Sequence, residues 1–488
     1  MNDLLHILDS KSKYVKQENM DGYALGIDIG TTSVKICVLN LKDNVVVAEQ
    51  CKDTQSNVPS AQGIDGNKQD VPKIISAINN CVAKFSKDLL QKVIRIGICG
   101  QMHGVMFWKQ RTSKPWERIE KDGNLVRYDV KPDQVSNIYT WQDNRCSREF
   151  LDTLPVPDSH LQIHSGFGIP TMFWMMKNRP EEMKNFDRAG TIQDFAVAML
   201  CDSDVNYISE QNAASWGYFN CSSYSWNFKL LEKAGFPVRL LPEVRMSGQI
   251  AGHLADTWHS IPKGTPIGVA MGDLQCSVLP TIEESTDATL NISTSAQLAY
   301  VVNKKLEEGE LSGPPKCKPM AYQPYFNGSH LAVAASLNGG NSLATFVKAL
   351  QHWILELGIP IPQEKLYPKL IELSKGEKAS SDLVVNPTCW GERHNPGLTA
   401  SVSNINVGNL ELGQIFKAIC EGMIRNLHSM MPKEVLEQSN IKRIVCSGSG
   451  ITRNETLQNA VKEIYGIPYK IAKSSDAAKG AAMAMKPN

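Results

Sequence analysis

Residues 23–40 read YALGIDIGTTSVKICVLN, and this stretch decides the fold. An apolar run covers residues 23–29, a glycine-containing turn occupies residues 30–33, and a second run rich in β-branched residues follows at 34–39. Apolar runs of strand length joined by a short turn of this composition are typical of a β-hairpin. The sequence therefore predicts two paired strands with a polar turn between them.

The turn also carries groups that can bind phosphate. Backbone N–H groups of a tight glycine turn form an anion-binding concavity, and Thr31 and Thr32 add hydroxyl donors. Lys35 adds positive charge, and Asp28 offers a carboxylate for hydrated Mg²⁺. The pattern is not a P-loop, because no Gly-Lys-Ser/Thr follows. An ordinary hairpin with a polar turn is the alternative.

Strands and helices alternate on both sides of this hairpin. Apolar spacing predicts a helix over residues 69–90 and a strand over 93–99. The second half restarts with a strand at 267–271 and a hairpin at 288–302 whose turn is Ser293-Thr294-Ser295. The pattern predicts an α/β fold with a duplicated architecture and a seam near residue 282. Later elements are predicted as a helix at 413–427, a strand at 443–446, and helices starting near 454 and 477.

Length and charge set limits on the organisation and the partners. A chain of 488 residues is long enough for two large domains, which we place at 21–281 and 282–488 after a flexible tail at 1–20. Residues 303–318 are expected to form an exposed insertion. The 51 basic and 50 acidic residues nearly cancel, so we expect neither nucleic acid nor a membrane as partner. Cysteines without Cys-x-x-Cys spacing indicate a reducing, cytoplasmic location.

Two further turns could contribute to a phosphate or nucleotide site. The turn at 293–295 offers hydroxyl groups from the second half. Residues 447–450, Ser-Gly-Ser-Gly, lie between a predicted strand and a helix, where glycine allows a planar ring to approach the backbone. A dinucleotide fingerprint would require a third glycine, but Arg453 stands there. Asn338-Gly339-Gly340 forms a second break of small residues.

Gly272-Asp273 ends the strand at the seam. A carboxylate at a strand end can accept the proton of an attacking hydroxyl, which is worth roughly 10²–10⁴-fold in rate. A carboxylate that caps the next helix is the alternative.

Polar and flat side chains for a polyol occur at residues 101–104, Gln-Met-His-Gly, and at 141–145, Trp-Gln-Asp-Asn-Arg. A sugar requires directional hydrogen bonds together with an apolar face, and these segments supply both. Buried core roles for the His and the Trp are the alternative.

Together, and in this order, the motifs resemble those of the FGGY family of carbohydrate kinases, from Tyr23 to the C-terminus. The resemblance implies two actin/ribonuclease H-like domains flanking a catalytic cleft, with ATP and Mg²⁺ as cofactors. It implies that Asp273 is the general base and that Asp28 is associated with the metal. Nucleotide contacts are implied for Thr31, Thr32, Lys35, Thr294, Gly339, Gly340, Gly448, Ser449, Gly450 and Asn454. Sugar contacts are implied for Met102, His103, Trp141, Asp143 and Asn212.

Within the family, segments such as 211–220, 335–341 and 391–394 are similar to members that phosphorylate a seven-carbon ketose on its terminal hydroxyl, which would feed the pentose phosphate pathway. A ketopentose kinase and a catalytically idle nucleotide-binding scaffold are the alternatives. Three positions depart from the family pattern. Ser293 in the second phosphate turn and Ser449 in the adenosine turn stand where Gly is usual. Thr171 stands where a Lys is usual.

Overall fold

The computed structural model describes residues 22–111, 113–121, 124–302, 306–311, 318–376, 381–472 and 476–486. The tail predicted for residues 1–20 lies outside these ranges, as do parts of the predicted insertion at 303–318. Within the described ranges, no helix is both long enough and apolar enough to cross a bilayer.

Strands and helices alternate through the first half of the chain. Its strands are β1 (Tyr23–Ile29), β2 (Ser33–Asn40), β3 (Val46–Asp53), β4 (Asn57–Val58), β5 (Lys68–Gln69), β6 (Val93–Gly100), β7 (Met106–Trp108), β8 (Trp116–Lys121), β9 (Asn124–Val130), β10 (Ile138–Tyr139), β11 (Arg188–Gly190), β12 (Tyr207–Ser209), β13 (Phe219–Asn220), β14 (Ser225–Trp226), β15 (Glu243–Arg245), β16 (Ile250–His253), β17 (Pro266–Gly268) and β18 (Met271–Gly272). Its helices are α1 (Val71–Val82), α2 (Lys87–Leu90), α3 (Arg148–Asp152), α4 (Gly168–Asn178), α5 (Pro180–Lys184), α6 (Ile192–Cys201), α7 (Glu210–Trp216), α8 (Phe228–Lys233) and α9 (Asp273–Val278).

The second half has longer helices. Its strands are β19 (Asp287–Ile292), β20 (Ala296–Val301), β21 (Met320–Pro324), β22 (His330–Ser336), β23 (Val384–Asn386), β24 (Ser401–Ser403), β25 (Arg443–Ser447) and β26 (Tyr469–Ile471). Its helices are α10 (Glu308–Leu311), α11 (Gly340–Glu356), α12 (Gln363–Ser374), α13 (Leu412–Met430), α14 (Lys433–Gln438), α15 (Ser449–Thr452), α16 (Glu455–Tyr465) and α17 (Ala477–Met483).

The two halves contain sheets with the same central pairing. In the first sheet, β1 pairs antiparallel with β2 and parallel with β6. In the second sheet, β19 pairs antiparallel with β20 and parallel with β25. The predicted repeat of the two hairpins is therefore confirmed at the level of strand pairing. The strand orders are β16-β17-β6-β1-β2-β3 and β21-β22-β20-β19-β25-β26.

The alternation of side chains along β1 explains how the first sheet is covered. Leu25, Ile27 and Ile29 belong to an apolar cluster that also contains the buried faces of α1 and α6. Ala24 belongs to a separate cluster with residues of α17. Side chains of a strand alternate between the two faces of a sheet. The strand is consequently buried on both sides.

The last helix crosses the sequence-based division of the chain at residue 282, because α17 packs against β1, β2 and β6 of the first sheet. Close approach requires glycine at the contact: a Cβ on Gly26 would lie 1.9 Å from the Ala478 carbonyl oxygen, and one on Gly97 would lie 2.0 Å from that of Ala481. The C-terminus thus helps to hold the first sheet.

Several predicted elements need correction. The helix predicted over residues 69–90 is two helices, because Ser86 caps a new one by accepting the Leu89 N–H at 3.4 Å. The strand predicted at 267–271 is divided into β17 and β18. In the predicted exposed insertion, Leu306 and Leu311 are instead buried against the first half.

Candidate active site

The carboxyl ends of three parallel strands meet at one edge of the first sheet. Ile29 at the end of β1 lies opposite Gly100 of β6, and Gly100 lies opposite Gly272 of β18. The residues that follow these ends include the first turn and Asp273. Ligands of α/β proteins bind beyond the carboxyl ends of such strands. The predicted phosphate turn and the predicted base therefore share one edge.

Asp28 is a buried carboxyl group near the end of β1, with 9% of its surface exposed. Its pKa is raised to about 8, mainly by burial and then by the negative charges of Asp273 and Asp476, although the charge of Lys35 acts in the opposite direction. Lys35 lies opposite Asp28 in the hairpin register. A desolvated carboxylate with two acidic neighbours is stabilised by any cation bound beside it.

Asp273 is the first residue of α9 and is only partly exposed. Its Oδ1 accepts a hydrogen bond from the Leu274 N–H at 2.7 Å, so the carboxylate also caps the start of its own helix. Burial nevertheless raises its pKa to about 6. A carboxylate with a pKa near 6 is ionised at neutral pH and accepts a proton readily, which suits a general base.

The first turn is closed by its backbone and tied to the predicted sugar segments. The Gly30 N–H donates to the Ser33 carbonyl at 3.0 Å. The Thr31 hydroxyl accepts a hydrogen bond from Trp141 Nε1 at 2.9 Å. The side chains of Thr32 and Lys35 are exposed. These two residues are free to approach phosphate oxygens, whereas Thr31 already links the turn to Trp141.

The second turn is also closed by its backbone but is tighter, since the Ser293 N–H donates to the Ser295 carbonyl at 3.0 Å. Two glycines pack directly on it. A Cβ on Gly339 would lie 2.3 Å from the Ser295 carbonyl carbon, and one on Gly340 would lie 2.4 Å from the Ser293 carbonyl oxygen. Thr294 at the tip is exposed. The small residues at 339–340 thus allow the start of α11 to touch this turn.

A cavity of about 850 Å³ in the second half brings together four of the predicted nucleotide contacts: Thr294, Gly340, Ser449 and Gly450. Gly448, just before them, has φ of +89°, and a Cβ there would lie 2.4 Å from Asn291 Oδ1. Only glycine fits that backbone and that space. Gly340, Ser449 and Gly450 line this cavity next to Gly339 and Gly448, and we call these five residues the nucleotide wall.

Three of the predicted contacts, Asn454, Asp143 and Asn212, have fully buried side chains that already make hydrogen bonds within the protein. Asn454 Oδ1 caps α16 by accepting the Thr456 and Leu457 N–H groups at 3.1 and 3.2 Å. The Asp143 carboxylate accepts from Arg145 Nε at 2.6 Å and from the Asn67 N–H at 2.8 Å. Asn212 Nδ2 donates to the Ala270 carbonyl at 3.2 Å.

Two of these buried positions also hold neighbouring parts of the site. Asp143 holds Arg145, whose guanidinium lies over the Tyr139 and Trp174 rings at 4.4 and 5.0 Å. Next to Asn212, Gln211 accepts the Gly272 N–H at 3.1 Å and so fixes the residue before Asp273. Arg145 and Gln211 were not among the predicted site residues, although they lie in the quoted segments 141–145 and 211–220.

Met102 and His103 follow the carboxyl end of β6, and Met102 reaches Gly272, the residue before Asp273. A Cβ on Gly272 would lie 2.7 Å from Met102 Sδ, so this thioether packs against the residue before the base. His103 has a left-handed backbone, with φ of +74°. Its ring stacks on Phe167 with 4.4 Å between centroids.

The proton of His103 can be assigned from its partner. Nδ1 lies 2.9 Å from the Ser215 carbonyl oxygen, which can only accept, so Nδ1 carries the hydrogen. Burial, followed by the positive charge of Arg393, lowers the pKa of His103 to about 3. The ring is neutral, and Nε2 is an acceptor suited to a sugar hydroxyl.

The donor set fits a magnesium ion held in the manner that this metal prefers. Among the described residues, no group of three or more His, Cys, Asp or Glu side chains could hold a metal ion. Mg²⁺ usually keeps several waters and binds one or two carboxylates plus substrate phosphates. Asp28, with its raised pKa beside the exposed first turn, satisfies that requirement.

The positions that depart from the family pattern have local roles. Ser293 Oγ donates to Asn291 Oδ1 at 3.1 Å within the second turn. Ser449 lines the 850 Å³ cavity, and Thr171 is buried in α4.

Comparison with known proteins defines the class. The family described as the FGGY family of carbohydrate kinases, N-terminal domain, matches residues 23–120 and 120–280. The chain belongs to the FGGY family of carbohydrate kinases. It is 45% identical over 467 residues to a sedoheptulokinase of Mus musculus, an alignment that covers 94% of this chain and 96% of that protein.

Solved structures share the fold. A xylulose kinase from Rhodospirillum rubrum superimposes with a TM-score of 0.75 at 17% identity, covering 95% of this chain and 89% of that one. A glycerol kinase from Plasmodium falciparum, solved with ADP, gives a TM-score of 0.71 at 18% identity, covering 95% and 88%. The predicted α/β fold of two actin/ribonuclease H-like domains is confirmed.

Proposed function

We propose that the protein transfers the γ-phosphoryl group of ATP to the terminal hydroxyl of sedoheptulose, giving sedoheptulose 7-phosphate and ADP. The observation that carries this proposal is Asp273, a carboxylate whose pKa burial raises to about 6, at the sheet edge beside Met102 and the first turn. The identity of 45% to a sedoheptulokinase supports the choice of sugar.

In the proposed reaction Asp273 accepts the proton of the terminal hydroxyl. The hydroxyl oxygen forms a bond to the γ-phosphorus while the bond from that phosphorus to the β–γ bridging oxygen breaks, and ADP leaves with the bridging oxygen. The neutral His103 orients the sugar through Nε2. Trp141 presents its indole face, while its N–H holds the first turn through Thr31.

The nucleotide is proposed to lie in the 850 Å³ cavity, against Thr294, Gly340, Ser449 and Gly450. The ADP of the glycerol kinase structure supports a nucleotide in this fold. Thr32 and Lys35 of the first turn extend toward the transferred phosphate, with Thr31 fixing the turn. Gly339 and Gly448 contribute by allowing the backbones to pack closely.

Asp28 is the residue proposed to hold Mg²⁺. The bound ion would supply positive charge against the phosphate oxygens. Lys35, opposite Asp28 on β2, adds a further positive charge to the same place.

The proposed division of labour follows the domains predicted from sequence, with the sugar on residues 21–281 and the nucleotide on 282–488. We further propose a cytoplasmic enzyme that supplies the pentose phosphate pathway, with a small-molecule ketose and ATP as its ligands.

The test is ADP release by the purified protein with Mg-ATP and, in turn, sedoheptulose, D-xylulose, D-ribulose, glycerol or no sugar. The proposal predicts the highest kcat/KM for sedoheptulose. A preference for a pentulose would keep the mechanism and overturn the substrate. ATP binding without any sugar-dependent ADP release would overturn the enzymatic proposal and favour an idle scaffold.

A further inference from the structure

A second cavity, of about 280 Å³, lies between the two halves of the chain. His103, His164 and Phe167 line it from the first half, and Arg393 lines it from the second. Lys318 and Glu310 add one charge of each sign. The proposed reaction uses only His103 of this set.

Arg393 is a guanidinium without a partner in this cavity. Among the described residues, its side chain has no hydrogen bond or salt bridge, and it remains positively charged because an Arg side chain does not lose its proton in proteins. Burial, followed by the charge of Arg393, lowers the pKa of both His103 and His164 to about 3. The cavity therefore presents several unused donors beside neutral rings with acceptor nitrogens.

The backbone presents Arg393 rigidly. Arg393 and His394 are the central residues of a tight turn, because the Glu392 N–H donates to the Asn395 carbonyl at 3.1 Å and the Asn395 N–H donates back at 2.9 Å. Gly391 before the turn has φ of +63°. A preorganised donor loses little conformational freedom when it binds a ligand.

Glu392 anchors the turn to the nucleotide wall. This carboxylate is 1% exposed. Its Oε1 accepts from Asn338 Nδ2 at 2.9 Å and from Asn426 Nδ2 at 2.7 Å, and its Oε2 accepts the Leu337 N–H at 3.0 Å. Leu337 and Asn338 directly precede Gly339. The cavity and the nucleotide wall are thus parts of one rigid arrangement.

Helix α7 spans the distance from the base to this cavity. At one end, the Gln211 side chain accepts the N–H of Gly272, the residue before Asp273. Near the other end, the Ser215 carbonyl accepts a hydrogen bond from His103 Nδ1. The two residues are about 6 Å apart along the helix, at 1.5 Å per residue. A ketose whose terminal hydroxyl meets Asp273 and whose chain passes His103 would place its distal carbons in the cavity.

We propose that Arg393 binds the oxygens at the end of the sugar remote from the transferred phosphate and so favours a seven-carbon over a five-carbon ketose. A sugar hydroxyl there accepts a hydrogen bond from Arg393 and donates to a neutral His nitrogen. A pentulose held at Asp273 is too short to fill the same position. This inference rests on the proposed function, since it requires the terminal hydroxyl at Asp273.

The experiment compares wild type with Arg393→Met and Arg393→Lys, measuring kcat and KM for sedoheptulose and for D-xylulose with Mg-ATP. Arg425→Met, at an exposed position of α13, is the matched control and should behave as wild type. Arg393→Met should raise the KM for sedoheptulose about 10- to 100-fold, the usual value of a hydrogen bond to a charged group. The effect on D-xylulose should be much smaller, and Arg393→Lys should lie between.

The possible failures are distinguishable. A wild-type enzyme that prefers D-xylulose contradicts the proposed function before any variant is considered, and the chain-length role of Arg393 falls with it. A wild type that prefers sedoheptulose, together with an Arg393→Met variant that keeps this preference, overturns the inference alone. Equal losses of kcat for both sugars would indicate a structural role instead. Thermal unfolding of each variant separates a folding defect from a loss of binding.

Discussion

The carboxyl groups of Asp28 and Asp273 lie at one edge of the first sheet, close enough for the charge of Asp273 to raise the pKa of Asp28. They lie at the ends of β1 and β18, which are both parallel to β6. Asp28 lies opposite Cys99 of β6, and Gly272, the residue before Asp273, lies opposite Gly100. The pair concentrates negative charge in a desolvated place. That arrangement suits a metal-assisted phosphoryl transfer with a carboxylate base.

Replacing the proposed base should abolish most turnover. Asp273→Asn keeps the shape of the side chain but cannot accept the proton, so kcat with sedoheptulose should fall about 10²- to 10⁴-fold. ATP binding, measured by titration calorimetry, should persist. Asp88→Asn, at an exposed position of α2, is the control and should retain wild-type activity. Near-normal kcat in Asp273→Asn would remove this residue from the role of base.

The pH profile should report the same group. The base must be deprotonated, and burial raises the pKa of Asp273 to about 6. The kcat/KM for the sugar should therefore rise with pH through about 6 and then level off. Initial rates between pH 5 and 8 at saturating Mg-ATP measure this. A flat profile through pH 6 would contradict the assignment.

Asp28 should make the ligand-free protein less stable as the pH rises. Its pKa is raised from 3.8 to about 8, so the folded state holds the proton more tightly than the unfolded chain. The stabilisation from protonated Asp28 is complete below pH 3.8 and is lost as the pH rises toward 8. Asp28→Asn should therefore raise the Tm at pH 8 without Mg²⁺, by at least about 2 °C.

That gain should disappear near pH 4, where wild-type Asp28 is protonated. Scanning calorimetry at the two pH values measures the difference, with Asp88→Asn again as the control. An equal Tm for wild type and Asp28→Asn at pH 8 would show that the carboxyl group is not strained in the folded protein. Activity should be lost in Asp28→Asn, because a neutral amide binds Mg²⁺ poorly.

Gly448 offers a test of the nucleotide wall. An alanine Cβ would meet Asn291 Oδ1 and the Ile292 carbonyl oxygen, each at 2.4 Å, in a backbone with φ of +89°. Gly448→Ala should raise the KM for ATP and lower the free energy of unfolding. Gly264→Ala is the matched control, because Gly264 has φ of +84° with open space around it. The Gly264→Ala variant has only the backbone strain. An equal loss of stability in both variants would show that the nucleotide wall accommodates the alanine side chain at position 448.

Local patterns allowed much of the fold to be predicted. The hairpin at residues 23–40 is encoded by neighbouring residues, since a glycine turn between two apolar runs fixes both strands. The second hairpin follows for the same reason. The end of α1 was missed because Ser86 can serve as a polar surface residue within a helix or as the cap of a new one, and the apolar spacing suits both.

Site residues on turns were easier to predict than those whose partners lie far away in sequence. Thr294 and Gly340 could be predicted to share a site because hydroxyl-rich and glycine turns are recognisable in the local sequence, and both residues line one cavity. The hydrogen bond that the Asp143 carboxylate accepts from the Asn67 N–H could not be predicted, because the two residues are distant in sequence and meet only in the tertiary fold. Arg393 could not be placed at the cavity, because the turn at 392–395 is positioned by Asn338 and Asn426, distant in sequence.

The position of the phosphate on the product tests the proposed transfer to the terminal hydroxyl of sedoheptulose most directly. Sedoheptulose should be incubated with the wild-type protein and Mg-ATP, and the product analysed by proton–phosphorus correlation NMR. The proposed function predicts coupling of the phosphorus to the protons on C7, because the terminal hydroxyl would meet Asp273 while the other end of the sugar would lie near Arg393. Coupling to the protons on C1, or no sugar phosphate at all, would contradict it.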